Sequence, residues 1–137
     1  MNKTVSDLLQ TKGNAIWSVR PDEMVFEAIR RMAEKNVGAL LVMDGHQLVG
    51  VISERDYTRK VFLQGKSSKE TRVREIMTPN VVCVKPERTI EECMALMTSK
   101  HIRHLPVVRD NDVIGVISIM DVIKSIISEK EFIIGQL

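Results

Sequence analysis

Gly50-Val51-Ile52-Ser53-Glu54-Arg55-Asp56 returns 65 positions later as Gly115-Val116-Ile117-Ser118-Ile119-Met120-Asp121. The match widens upstream without a gap. Val19, Pro21, Glu27, Met32, Lys35, Leu40 and Val42 come back as Val84, Pro86, Glu92, Met97, Lys100, Leu105 and Val107. With Gly50, Val51, Ile52, Ser53 and Asp56 these make twelve identities over the 44 residues from Asn14 to Tyr57. Similar pairs such as Val37/Ile102 and Asp22/Glu87 fill many other positions. Register held over this length marks an internal duplication, and a period of 65 is too long for a solenoid unit. Two copies point to a pseudo-twofold pair.

Within the first copy, Ala15 to Val19 is a short β-prone stretch. Pro21-Asp22-Glu23 is expected to open a helix, its acidic residues favouring the positive end of the dipole. Val25, Ala28, Ile29, Met32 and Ala33 recur at helical spacing and predict a buried stripe, with Gly38 punctuating the end. Residues 39–43 read as a strand, Asp44-Gly45-His46 as a tight turn, and 48–52 as the return strand. Ser53 is expected to start a helix to about Leu63. The second copy predicts a strand at 81–84, a helix at 89–99, a strand at 104–109, a turn at Asp110-Asn111, a strand at 112–117 and a helix at 118–128. Val5, Leu8 and Leu9 suggest a short leading helix, matched by Val73 and Ile76 before the second copy. Polar Gln64 to Thr71 reads as the linker. The fold class is therefore α/β (α+β): two tandem β-α-β-β-α repeats, 1–65 and 72–137, joined by 66–71.

Composition limits what such a fold is expected to do. Of the 137 residues 44% are apolar and only 4% aromatic, so Val, Ile, Leu, Met and Ala must build the core. A net charge of +2, with acidic and basic residues interspersed, argues against a nucleic-acid surface. No apolar run approaches 18 residues, and Met1-Asn2-Lys3-Thr4 lacks a signal-peptide core, so no membrane association and a cytoplasmic setting are expected. Cys83 and Cys93 show no metal or disulfide spacing, and Cys83 reads as an inert thiol. No Ser-His-Asp, Cys-His or metal-ligand arrangement recurs, so the expectation is no enzyme and no catalytic cofactor. Met32, Met94 and Met97 read as core or dimer-face residues, and Trp17 as buried at the seam between repeats.

Both copies end a strand on Gly-Val-Ile-Ser-x-x-Asp. This places a hydroxyl and a carboxylate one turn apart at a helix N-terminus, where free N–H groups favour an anion. The carboxylate there can accept both hydroxyls of a ribose. Ser-x-x-Asp is equally close to a capping box, with Ser53 as N-cap and Asp56 at the third helical position.

The repeated motif, Ile76-Met77-Thr78-Pro79 and His101-Ile102-Arg103-His104-Leu105-Pro106-Val107-Val108 together resemble a pair of CBS domains, or Bateman module, over nearly the whole chain. Ser53 to Lys60 further resembles free-standing CBS-pair proteins of bacteria and plant organelles. The resemblance implies a regulatory module that binds an adenine nucleotide (AMP, ATP or NADH) in clefts between the repeats. It assigns Ile52, Ser53, Asp56, Thr78, Asn80, Val81, Val82, Ile102, Arg103 and His104 to the first cleft. The second takes Ala15, Ile16, Trp17, Val37, Gly38, Ala39, Ile117, Ser118 and Asp121, with Lys12 from a leading segment in which Thr11-Lys12-Gly13 replaces Met-Thr-Pro. Arg55, Arg59 and Lys60 add phosphate clamps to the first, or a solvated basic face. The first cleft is expected to suit phosphates better, since Gly38 and Ala39 stand where the second copy has Arg103 and His104. A homodimer and a regulated protein partner complete the reading, with apolar stripes on Ile119 to Ile127 and Val61-Phe62-Leu63 as a dimer face. The alternative is a constitutive homodimeric interaction protein with vestigial clefts.

Overall fold

The register of the duplicated strands organises the computed structural model, which describes residues 3–136, without the side chains of 129–134 and 136. Met1, Asn2 and Leu137, the ends of the two sequence-order repeats and of the signal-peptide reading, lie outside it. The chain divides into two compact units, Ile16–Val81 and Met1–Ala15 together with Val82–Leu137. Compactness therefore does not follow chain order.

In the Ile16–Val81 unit, β2 (Ala39–Asp44) and β3 (Gln47–Ser53) pair antiparallel, with Ala39 opposite Ser53 and Leu40 opposite Ile52. A short β1 (Ser18–Val19) adds to β2 in parallel. Helix α2 (Val25–Lys35) buries Val25, Ala28 and Met32, residues that helical spacing puts on one face. With Val19, Leu40, Val42 and Ile52 they form the core. Ala33, expected in the stripe, is exposed.

Two boundaries of α2 differ from expectation. Residues 21–23 form a turn instead of the first helical turn. The Glu23 carboxylate accepts from the Arg20 amide at 2.8 Å and pairs with Arg31 at 3.1 Å. The carbonyls of Pro21 and Glu23 accept from Arg74 and Val73, the start of α4 (Val73–Ile76), so they cannot serve a helix. The helix also ends at Asn36, in the left-handed region at φ 55°, and not at Gly38. Asparagine is one of the few residues that tolerate this cap conformation.

After β3, α3 is only Glu54–Tyr57 and continues as a π-helical turn, Thr58–Phe62, in place of a uniform helix to Leu63. Val61 is buried, whereas Phe62 and Leu63 are exposed. The segment read as a linker forms turns, and buried Thr71 donates its hydroxyl to the Ser67 carbonyl at 2.8 Å.

The other unit repeats the plan. β4 (His104–Arg109) pairs with β5 (Asp112–Ser118) in the same register, His104 opposite Ser118, and breaks register at Val107/Val108 as β2 does at Val42/Met43. The turn residues Asp110 and Asn111 both have positive φ, as a type I′ hairpin turn requires. Helix α5 (Ile90–Lys100) starts on a capping box between Thr89 and Glu92, and ends on His101 at φ 56°. Helix α6 (Ile119–Gln136) runs eight residues past the expected end at 128.

The strand expected at 81–84 is reduced to a single bridge between Val84 and Val107. Its counterpart β1 is held by the Leu41 amide donating to the Trp17 carbonyl at 3.2 Å. The residue matching Leu41 is Pro106, which has no N–H to donate.

Leading helix α1 (Val5–Lys12) belongs to this unit, with Val5, Leu8 and Leu9 packed on Leu105, Val107 and Ile117. α4 occupies the same place in the Ile16–Val81 unit. The glycines of the duplicated strands mark the closest approach. A Cβ on Gly50 would lie 2.7 Å from Met77 Sδ and 3.0 Å from the Thr78 carbonyl oxygen. On Gly115 it would meet the Leu9 side-chain methyls, at 2.8 and 3.0 Å. Methyl ends shift by rotation, whereas a backbone carbonyl cannot. Gly50→Ala is therefore expected to destabilise the protein by about 1–3 kcal/mol and Gly115→Ala by clearly less, as urea unfolding of the two variants will show.

Candidate functional site

Each unit carries one copy of the Ser-x-x-Asp motif at the mouth of its strand pair. In the Ile16–Val81 unit β3 ends at Ser53, which caps α3. Asp56 Oδ2 accepts from the Ser53 amide at 2.9 Å and from the Ser53 hydroxyl at 3.0 Å, and the Asp56 amide donates to Ser53 Oγ at 3.1 Å. The capping-box reading thus holds. Asp56 Oδ1 remains outside the cap and lies 3.2 Å from Lys60 Nζ. Lys60 also donates to the Ile76 carbonyl at 2.9 Å, tying the carboxylate to the end of α4. Next to it, Thr78 forms an antiparallel bridge with Val51, through main-chain bonds of 3.0 and 2.9 Å. Thr78 and Asn80 are exposed and Val81 half-buried. Arg55 and Arg59 are exposed as well.

On the neighbouring strand the Gly38 carbonyl accepts from the Glu54 amide at 3.0 Å, so Gly38 and Ala39 flank the start of α3. Val37 is half-buried, and Ile16 likewise. Trp17 is not buried: 40% of it is exposed, and the Lys35 ammonium stands over its ring at 4.4 Å. Ile52 is fully buried, as is Ile117 in the other unit.

In the other unit Ser118 closes β5, and the Asp121 carboxylate accepts from the Ser118 amide at 2.8 Å. The cation here is Lys12, from the last turn of α1, at 2.6 Å from Asp121 Oδ2. Burial works against ionisation of Asp121, but the Lys12 ammonium and the Ser118 amide outweigh it and hold the carboxyl below its usual range. The Arg103 carbonyl accepts from the Ile119 amide at 2.8 Å, so Arg103 and His104 flank the start of α6 as Gly38 and Ala39 flank α3. Ala15 is exposed; Ile102 and Val82 pack partly against the core.

Sequence reasoning assigned these residues by cleft; the structure groups them by sheet. Arg103 and His104 share a unit with Asp121, and Gly38 and Ala39 share one with Asp56. Sequence reasoning matched the leading helices but missed that their offset is 68 and not 65. At an offset of 68, Val5, Asp7, Leu8 and Leu9 face Val73, Glu75, Ile76 and Met77, so Lys12 corresponds to Asn80. The matching hydrogen bonds of Val5 to Arg88 and Val73 to Glu23 confirm this register.

Neither cysteine is set up as a nucleophile. Burial raises the Cys83 thiol and pushes Cys93 up to about 11, the reverse of what a nucleophilic cysteine needs. Among the described residues no three His, Cys, Asp or Glu gather to hold a metal ion. No described helix is long and apolar enough to cross a membrane.

The model of the CBS-domain family matches residues 5–62 and 73–128. A mitochondrial CBS domain-containing protein of Arabidopsis thaliana is 42% identical over 136 residues, covering 92% of this chain and 66% of its own length. The chain thus spans about two thirds of that relative. A crystallised protein from Burkholderia ambifaria, provisionally described as a signal-transduction protein with CBS domains, is 50% identical at a TM-score of 0.89, with 92% of this chain and 95% of that one aligned. The CBS-domain pair of protein MJ0100, crystallised with 5′-methylthioadenosine and S-adenosyl-L-methionine, is 25% identical at a TM-score of 0.82, covering 95% and 99%.

His104 offers a test of the cluster. Burial lowers its pKa below the ordinary 6.5; Lys12 and Arg103 add to this and Asp121 opposes it. The folded state therefore favours the neutral ring. That stability is complete above pH 6.5 and is lost as pH falls through the depressed folded value. Wild-type Tm should fall more steeply from about pH 7 to about pH 5 than that of His104→Gln, measured by scanning calorimetry.

Proposed function

This chain belongs to the CBS-domain family, and from that premise we propose that it is a regulatory module that binds an adenine nucleotide and catalyses nothing. The duplicated units of this reading are 1–65 and 72–137. The observation that carries it is the pair of carboxylates, Asp56 and Asp121. Each stands at the start of a helix, each is balanced by one lysine, and each has a strand-end main chain beside it. A carboxylate so placed accepts the two hydroxyls of a ribose, and neighbouring N–H groups and cations suit a phosphate. Both ligands of the MJ0100 pair contain adenosine, which favours the same class here. AMP, ATP and NADH are the nucleotides to compare.

In this reading Ser53, Asp56, Lys60, Thr78, Asn80, Val81, Arg55 and Arg59 serve one ligand set from the Ile16–Val81 unit. Lys12, Ser118, Asp121, Arg103 and His104 serve from the other unit. Val82, Ile102, Val37, Gly38, Ala39, Ala15, Ile16 and Trp17 supply main chain and apolar walls, with Ile52 and Ile117 buried behind the two motif serines. Binding regulates a protein partner through the ligand's differential affinity for two arrangements of the chain.

A second reading rests on a different observation. Phe62, Leu63, Met120 and Ile127 are exposed by 67%, 71%, 53% and 50%. Phe62 and Ile127 occupy matching positions of the two repeats. Such residues suit a homodimer face, with or without a ligand.

Calorimetric titration with the three nucleotides separates the readings. Wild type should bind at least one. Asp56→Asn and Asp121→Asn, which keep an acceptor for the capping amide, should each weaken binding by about tenfold or more, with Tm lowered by only a few degrees. A dimer that binds none of the three would leave the constitutive role.

A further inference from the structure

Val51 and Val116 occupy the same place in the duplicated strands, yet their carbonyls are satisfied differently. The Val51 carbonyl accepts from the Thr78 amide at 2.9 Å, because the chain leaves α4 after Ile76 and runs extended beside β3. In the other unit α1 continues as helix to Lys12 and closes on Gly13, whose amide donates to the Leu9 carbonyl at 2.7 Å. A leading segment that stays helical brings no main-chain amide to Val116. Lys12 Nζ takes that place, donating to the Val116 carbonyl at 2.6 Å and to Asp121 Oδ2 at 2.6 Å.

One side chain therefore performs two tasks: it completes the strand edge and neutralises the carboxylate. We propose that Lys12 is a displaceable latch on Asp121. A ribose diol that engages both carboxylate oxygens takes Oδ2, which Lys12 now shares with the Ser118 cap, and its arrival releases the last turn of α1. This rests on the reading that Asp121 captures ribose. It makes the two carboxylates unequal, because Lys60 binds Asp56 through the oxygen outside the cap and from the following turn of its own segment. Displacing Lys60 does not detach a leading helix. Only ligand at Asp121 is then transmitted to α1.

The test uses adenosine, which has the diol and no phosphate for a lysine to attract. The Asp56→Asn chain isolates Asp121, and Lys12→Gln is added to it, keeping a donor for the Val116 carbonyl while removing the charge. Adenosine should bind the double variant about tenfold more tightly than Asp56→Asn alone. In wild type, saturating adenosine should speed hydrogen exchange at the Gly13 amide. If Lys12→Gln leaves affinity unchanged or weaker, or the Gly13 amide stays protected, Lys12 is no latch, though the nucleotide reading stands. If no adenosine binds to wild type or to either variant while AMP, ATP or NADH does, the latch fails alone; if none of the four binds, the nucleotide reading fails with it.

Discussion

The antiparallel pairing of Ala39 with Ser53, and of His104 with Ser118, is the constraint from which the rest follows. Each strand pair ends in the same register, so each motif serine emerges beside the residues that open the partner strand. The helix N-terminus, the carboxylate and the neighbouring carbonyl then come together without any contribution from a loop. Moving the pairing by one residue would turn Ile52 or Ile117 out of the core and carry the motif serine away from the residues that open the partner strand. Burial of those two isoleucines thereby holds the site's geometry.

Glycine at positions 50 and 115 lies under the leading segment in both units. At Gly50 the covering atoms include the Thr78 carbonyl, which leaves no room for a side chain, whereas at Gly115 they are the Leu9 methyls, which can rotate. In one unit this segment is extended main chain and in the other it is helix. The glycine was preserved in both copies while what it accommodates changed. At these strands the repeats agree, and they differ in what is laid across them.

Most of the fold was legible because hydrophobic period and turn chemistry agree locally. Residues 104–109, Asp110-Asn111 and the stripe of Val25, Ala28 and Met32 needed no tertiary information. What failed depended on distant partners. Pro21 to Glu23 resemble a helix start until Val73 and Arg74 claim their carbonyls. The strand at 81–84 matched β1 in composition but faces Pro106, which removes the decisive donor. Trp17 looked like a core residue because it is large and apolar, yet Lys35 covers its face at the surface. At the site, the Ser-x-x-Asp pairs were legible as both cap and ligand group. Lys12 was placed with the second cleft, but its hold on Val116 was hidden by the change from an offset of 65 to one of 68.

That change of offset explains how the two units reach the same charge balance from opposite sides. Lys60 neutralises Asp56, and its counterpart at an offset of 65 is Ser125. Ser125 is buried, and its hydroxyl has no hydrogen-bond partner among the described residues. A lysine there would place a second cation near Asp121 and bury its stem in a unit whose core is already filled by Val122 and Ile117. Conversely, Lys12 corresponds to Asn80, at φ 56° in the other unit, where Lys60 already serves. Each carboxylate thus keeps one lysine, and the duplicated copies have exchanged which element supplies it. The exchange leaves each carboxylate with one lysine and makes their mechanics different: one carboxylate is tied within its own segment, the other to a helix that precedes it by more than a hundred residues.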